Sequence, residues 1–210
     1  MVYRRLPVSL IMNYLAHAYL SFGNEEILAG NLFSDYVKGK KQFDYTGLLH
    51  KGIRLHRMID AFTDAHPSTA AVKLFFKSAY GLYAGAFTDI VYDYFLANDS
   101  NEFTTDQELE LFSNNSYFQI EKSLAELPPG FQQIFPFMKQ YNWLYNYRHQ
   151  HGIQKSFAGL VKRAKYIEDH ETAFRIFTEN LQQLNFYYAA FFPLLKIHAT
   201  HTLAQLLKTD

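Results

Sequence analysis

From Ala86 to Ala97 the chain reads AFTDIVYDYFLA, and with tyrosine counted as apolar its only polar residues are Thr88, Asp89 and Asp93. A helix that is apolar nearly all round belongs in a core. Its two acids stand at i and i+4, on one side of the helix. They need partners there, because a bare carboxylate is expensive to bury. An all-helical protein that wraps this segment is the simplest answer.

The remaining sequence supplies the helices. Helical periodicity dominates and no convincing alternating strand appears. Met12–Leu20 reads as a short first helix, ended by the Gly23-Asn24 turn, and Glu25–Val37 as a second, closed by Gly39. Asp44 is expected to cap a third that ends near His66-Pro67. Pro67 suits the first turn of a fourth, Ser68–Tyr80, and the fifth is Ala84–Ala97. Thr105 and Glu108 form a capping box that opens a helix to about Leu127. Pro128-Pro129-Gly130 is a hard break before Phe131–Tyr147. Gly152 starts a segment to Tyr166, and Asp169 caps a long one that runs to the end. With 210 residues and no repeat or low-complexity linker, the expectation is an all-α, single-domain helical bundle.

A second polar pattern lies on the third helix. In His56-Arg57-Met58-Ile59-Asp60-Ala61-Phe62-Thr63-Asp64 an imidazole and two carboxylates are spaced four residues apart. At about 100° per residue, Leu55, Met58, Ile59 and Phe62 form an apolar face, and His56, Asp60 and Asp64 run along its border. Asp35 in GNLFSDYV and His17 in MNYLAH stand in equally apolar settings. Each could be a core residue with a hydrogen-bond partner; together they look like one metal site. Carboxylates with imidazole suit Mn²⁺, Mg²⁺ or Fe²⁺. Such an ion lowers the pKa of bound water and neutralises charge on a phosphoryl oxygen.

Other chemistries are excluded or unsupported. The chain has no cysteine, so disulfides, zinc–thiolate sites and cysteine nucleophiles are ruled out. No phosphate-binding glycine loop, GxSxG elbow or HExxH helix is present. Twenty basic against twenty acidic residues leave no formal charge, which gives no reason to expect nucleic acid. The richest apolar run, Phe186 to Leu195, is interrupted by Pro193 and is far shorter than the roughly 20 residues of a membrane span. Arg4 and Arg5 before an apolar stretch only faintly suggest a signal peptide, since Asn13 and His17 interrupt it. A soluble, cytoplasmic protein is expected.

The motifs MNYLAH (12–17), GNLFSDYVKG (30–39), His56-Arg57-x-x-Asp60 and Asp89-x-x-x-Asp93-x-Phe95-Leu96 together resemble the bacterial acyl carrier protein phosphodiesterases. Weaker similarity continues through Pro128-Pro129-x-Phe131 and Trp143-Leu144-x-x-Tyr147-Arg148. The resemblance implies an HD-domain-like, metal-dependent hydrolase, typically using Mn²⁺, that releases 4′-phosphopantetheine from holo acyl carrier protein. The chain departs from the HD pattern in having no His-Asp dipeptide; a helical turn separates His56 from Asp60. Residues 1–11 precede the usual family start and are read as an N-terminal extension to a 12–210 domain. On this basis Asp35, His56, Asp60 and Asp93 are the expected metal ligands. His17, Asp64 and Asp89 are expected beside them as alternative ligands or catalytic groups, with Arg57 stabilising charge on phosphate. Lys38, Lys40, Lys41 and Arg54 are the expected docking patch for an acidic carrier. Activity on another phosphodiester, or a non-catalytic helical module for an acidic partner, are the competing expectations.

Overall fold

The computed structural model describes residues 14–208, so the 1–11 extension and the Met12-Asn13 start of the first helix lie outside the described residues. Among the described residues there are eleven α-helices and no strand. The first five run as α1 (Tyr14–Tyr19), α2 (Glu25–Phe33), α3 (Gly47–Ala65), α4 (Pro67–Tyr80) and α5 (Ala84–Ala97). After them come α6 (Asp106–Ser123), α7 (Pro129–Gln140), α8 (Trp143–Asn146), α9 (Gln150–Arg163), α10 (Glu171–Glu179) and α11 (Leu181–Lys208). The all-α expectation holds.

Local chemistry accounts for most boundaries. Asn24 caps α2 through its side chain, which accepts from Ile27 N, and Glu25 and Glu26 complement the positive end of the helix. His66 caps α4 by accepting from Ser68 N, with Pro67 in the first turn. The capping box before α6 is present: Thr105 Oγ1 accepts from Glu108 N at 3.2 Å, and the Glu108 carboxylate accepts from Thr104 N at 2.7 Å.

Four boundaries differ from the sequence expectation. The helix from Glu25 stops at Phe33, where the chain tightens into a 3₁₀ turn, Ser34–Tyr36, and packs Tyr36 against Gly130 and Phe131. Asp44 ends a second 3₁₀ stretch, Gly39–Asp44, instead of capping α3. The chain enters α3 through Thr46 and Gly47, whose φ of 58° favours glycine. Asn142, at φ 41°, divides α7 from α8. The long C-terminal helix is broken at Asn180, leaving Asp169 to accept from Glu171 N at the head of α10.

α5 occupies the position that its sequence demands. Phe87, Thr88, Ile90, Val91, Asp93 and Leu96 are fully buried, and α5 packs against α1, α4 and α9. α11 lies against α3 and α4, and the buried apolar residues form one continuous core.

The contact that shapes the site is the crossing of α2 and α3. A Cβ on Gly30 would lie 2.2 Å from the Leu49 carbonyl oxygen, and one on Gly52 would lie 2.5 Å from the Ile27 carbonyl oxygen. Only two facing glycines let these backbones touch. The crossing sets Asn31, one residue beyond Gly30, directly beneath His56, one turn beyond Gly52.

Candidate metal centre

Four elements contribute to one polar cluster in an otherwise apolar interior. His17 comes from α1, Asn31 from α2, Asp35 from the 3₁₀ turn after it, and His56 and Asp60 from successive turns of α3. The two imidazoles stack, with ring centroids 4.0 Å apart and planes 19° from parallel. Ligand atoms of His17, His56 and Asp60 lie within 4.8 Å of one another. Asp60 Oδ1 is 3.2 Å from His17 Nε2, and Asp60 Oδ2 is 3.1 Å from His56 Nε2. Asp35 Oδ1 reaches His56 Nε2 from a second direction at 3.3 Å.

Asn31 decides which nitrogens face the carboxylates. Its side-chain oxygen, an acceptor, is 2.7 Å from His17 Nδ1, and its backbone carbonyl is 2.8 Å from His56 Nδ1. Both Nδ1 atoms must therefore donate, so each neutral ring turns the lone pair of Nε2 toward Asp60. The side-chain nitrogen of Asn31 donates to the His17 carbonyl and to Ser21 Oγ, which fixes the amide in that orientation. Imidazoles that ligate metals are commonly held in this way, their other nitrogen donating to a fixed acceptor.

Two lone pairs facing a carboxylate need a cation between them. Burial alone would push the His56 imidazole down, but hydrogen bonds to Asp35 and Asp60, with their charges, raise it to about 10. His17 is lowered, by burial and then by the neighbouring His56 charge. Asp60 is held below the usual carboxylate range: both imidazoles outweigh the upward push of burial. His17 Nε2 is buried and, although 3.2 Å from Asp60 Oδ1, meets no hydrogen-bond geometry among the described residues. A proton on His56 thus supplies one positive charge and leaves the second nitrogen unused. A divalent ion would engage both, and a set of two imidazoles with carboxylates suits a first-row metal. The residues fit such an ion.

The other predicted residues occupy distinct places. Asp93 is fully buried and accepts from Leu15 N and Ala16 N at 3.0 and 2.9 Å, so both of its oxygens fasten the start of α1, the helix that carries His17. Burial pushes its carboxyl up, opposed by those two backbone donors. Asp89 and Asp64 line a cavity of about 200 Å³ with Asp60 and Thr63. Asp64 is exposed and paired with Lys73 at 2.7 Å. The Asp89 carboxyl is pushed up by burial and by the charges of Asp60, Asp64 and Asp93. Arg57 donates to Gln42 Oε1 at 2.6 Å and to the Val37 carbonyl at 3.2 Å, bracing the segment after Asp35 against α3. Lys38, Lys40, Lys41 and Arg54 are exposed on that same flank.

The sequence profile of the family described as acyl carrier protein phosphodiesterase matches residues 12–195. This chain belongs to that family. Its relatives include proteins named acyl carrier protein phosphodiesterase from three bacteria. The one from Serratia proteamaculans is 30% identical over 87% of this chain and 94% of its own length. The one from Photorhabdus laumondii is 29% identical over 87% and 92%. The one from Yersinia pestis is 27% identical over 90% and 98%. No solved structure matches the chain. Among the described residues no helix is long and apolar enough to cross a membrane.

No role is expected of Asn31 from the sequence alone. Its signal was present: a polar side chain in the middle of α2, fully buried in the fold. Replacing it with leucine leaves His17 Nδ1 without its acceptor and frees that ring to turn, while the backbone carbonyl of residue 31 still holds His56. Asn31→Leu is expected to weaken divalent-metal affinity by about 10- to 100-fold, the usual cost of losing an outer-shell partner. Metal titration of the purified variant checks this, and unchanged affinity would remove Asn31 from the centre.

Proposed function

We propose that this chain hydrolyses the phosphodiester joining 4′-phosphopantetheine to a serine of holo acyl carrier protein, leaving the apo carrier. The observation that carries this reading is the convergence of His17 Nε2, His56 Nε2 and the Asp60 carboxylate in a member of a phosphodiesterase family. A divalent cation, Mn²⁺ first and Mg²⁺ or Fe²⁺ as alternatives, would be held by His17, His56 and Asp60, with Asp35 beside His56. When bound, such an ion supplies an acidified water and charge neutralisation at a phosphoryl oxygen.

The chain's own residues do the rest. Asn31 fixes both imidazoles with Nε2 inward. Asp93 anchors α1 and so sets the depth of His17. Asp89 lines the cavity next to Asp60 with a carboxyl raised by its surroundings, which suits it to take and hold a proton there. Arg57 positions the Asp35 segment. Incubating holo carrier protein with the enzyme and Mn²⁺ tests the reading: the carrier should lose the mass of phosphopantetheine, and an unchanged mass with every divalent metal rejects it.

Docking follows from the exposed basic flank. An acidic carrier approaching the centre would meet Lys38, Lys40, Lys41 and Arg54. Charges at a rim act mainly on association and fade with salt, the screening length falling from about 10 Å at 0.1 M to about 3 Å at 1 M. Changing Lys38, Lys40 and Lys41 to Glu together is expected to raise KM for the carrier about tenfold with kcat retained. A small phosphodiester should be turned over as before. Equal losses on both substrates, or a carrier KM insensitive to salt, would place the docking surface elsewhere.

A further inference from the structure

The cluster of His17, His56, Asp35 and Asp60 reaches the surface through Asp60. The Asp60 side chain is 28% exposed, against 2% for His17, 4% for His56 and 14% for Asp35. Asp60 is also part of the wall of the cavity of about 200 Å³ between α3 and α5, so that cavity adjoins the centre. α3 supplies Asp60, Thr63 and Asp64 to its lining, and α5 supplies Gly85, Ala86 and Asp89. Leu82 and Tyr83, in the turn before α5, complete it. Three carboxylates stand in this lining and no cation.

A phosphodiester brings a negative charge to such a place, and a positioned cation must meet it. The sequence offers Arg57, but the fold commits that guanidinium to Gln42 and the Val37 carbonyl. Lys38, Lys40 and Lys41 belong to the segment after Asp35 and do not line the cavity. The cation role is therefore open.

Lys73 is placed to fill it. From α4 its side chain crosses to both walls of the cavity at the rim. Its Nζ is 2.7 Å from Asp64 Oδ1 on α3. On the α5 side, a Cβ on Gly85 would lie 3.4 Å from Lys73 Cε and 3.8 Å from Nζ, so the stem passes where that residue has no side chain. Packing holds the lysine more than its ion pair does: its side chain is 28% exposed, whereas that of Asp64 is 73% exposed. An ion pair with so exposed a carboxylate is worth little and exchanges readily for a better partner. The charge of Lys73 also reaches across the cavity. The Asp89 carboxyl, pushed up chiefly by burial, is drawn back down by Lys73.

We propose that Lys73 donates to a non-bridging oxygen of the substrate phosphate at the mouth of the centre, giving up Asp64 as its partner when it does so. Asp64 is the resting counter-ion that keeps the ammonium at the rim until the diester arrives. The proposal rests on the phosphodiesterase reading for the reaction, while Lys73 itself is assigned by Asp64, Gly85 and the cavity beside Asp60.

The experiment titrates the metal-loaded protein calorimetrically with inorganic phosphate, so that binding is read without turnover. Lys73→Gln should weaken phosphate by about 10- to 100-fold, the range for a lost charged hydrogen bond, and its affinity for the divalent metal alone should not fall. Lys73→Arg keeps the charge and should recover most of the phosphate affinity. Asp64→Asn releases the lysine and should tighten phosphate by up to about fivefold, the worth of an exposed ion pair. Turnover of holo carrier protein and of bis(4-nitrophenyl) phosphate should fall together in Lys73→Gln, unlike the loss confined to the carrier expected when Lys38, Lys40 and Lys41 are reversed. Wild-type phosphate affinity in Lys73→Gln overturns the proposal. Equal losses in Lys73→Gln and Asp64→Asn also overturn it, since the ion pair would then be the whole role of the lysine. If holo carrier protein is never hydrolysed, yet Lys73→Gln weakens phosphate and Lys73→Arg restores it, the phosphodiesterase reading fails and the assignment of Lys73 stands.

Discussion

Asp60→Ala is expected to reduce hydrolysis of holo carrier protein by about a thousandfold or more, to background. Among the described residues Asp60 is the only carboxylate within 3.2 Å of both inward imidazole nitrogens, so its removal would leave the proposed metal ion with two neutral ligands and Asp35 to one side. Metal-derived charge stabilisation amounts to several kcal/mol, and about 4 kcal/mol corresponds to a thousandfold in rate. The same substitution should lower the stability of the metal-free protein at neutral pH. The folded-state pKa of Asp60 is depressed, so its stabilising contribution is present above the unfolded value of 3.8 and is lost as pH falls through the folded one. A loss of about 1–3 kcal/mol is the scale for stranding a buried polar partner, here His56. Asp60→Asn keeps the shape and loses the charge, so it should retain more stability than alanine while remaining inactive. The two readouts, steady-state hydrolysis and a melt with chelator, separate ligand loss from unfolding. Wild-type turnover by Asp60→Ala removes this residue from the chemistry.

The sequence exposed the parts of this centre whose signal is local. His56 and Asp60 sit at i and i+4 on an amphipathic helix, and the structure brings both into the cluster. His17 and Asp35 were visible as polar residues in apolar surroundings, and both approach His56 or Asp60. Asp93 was visible on the same grounds, but sequence spacing cannot tell a carboxylate that faces a metal from one that fastens backbone amides 77 residues away, as Asp93 does with Ala16. Arg57 was read by its charge and proximity, whereas the fold gives it Gln42 and Val37 as partners. Gly30 and Gly52 carried no periodic signal, because their function is the absence of a side chain at a crossing formed only in three dimensions.

Gly52→Ala is expected to be strongly destabilising, as is Gly30→Ala at the same crossing. The added Cβ would lie 2.5 Å from the Ile27 carbonyl oxygen and 2.9 Å from the Gly30 Cα, both backbone atoms of a packed helix that cannot swing aside as a side chain would. Relief requires α2 and α3 to separate. Overpacking of a closed core typically costs about 1–3 kcal/mol, and a backbone clash of this depth belongs at or above the upper end. At about 2–4 °C per kcal/mol for a chain of this size, Tm should fall by about 6–12 °C. Gly85→Ala provides the opposite sign. Its Cβ meets only the end of the Lys73 side chain at 3.4 Å, so it should be neutral or stabilising by up to about 1 kcal/mol through helix propensity. The effect of Gly52→Ala should also reach the chemistry. His56 Nδ1 depends on the Asn31 carbonyl, 2.8 Å away across the same crossing, so separating the helices releases the ring that presents Nε2. Metal affinity and turnover should therefore fall together, even below the melting range. An alanine variant with wild-type Tm and wild-type metal affinity would mean that the two helices do not meet at these glycines, and the orientation of His56 would need another cause.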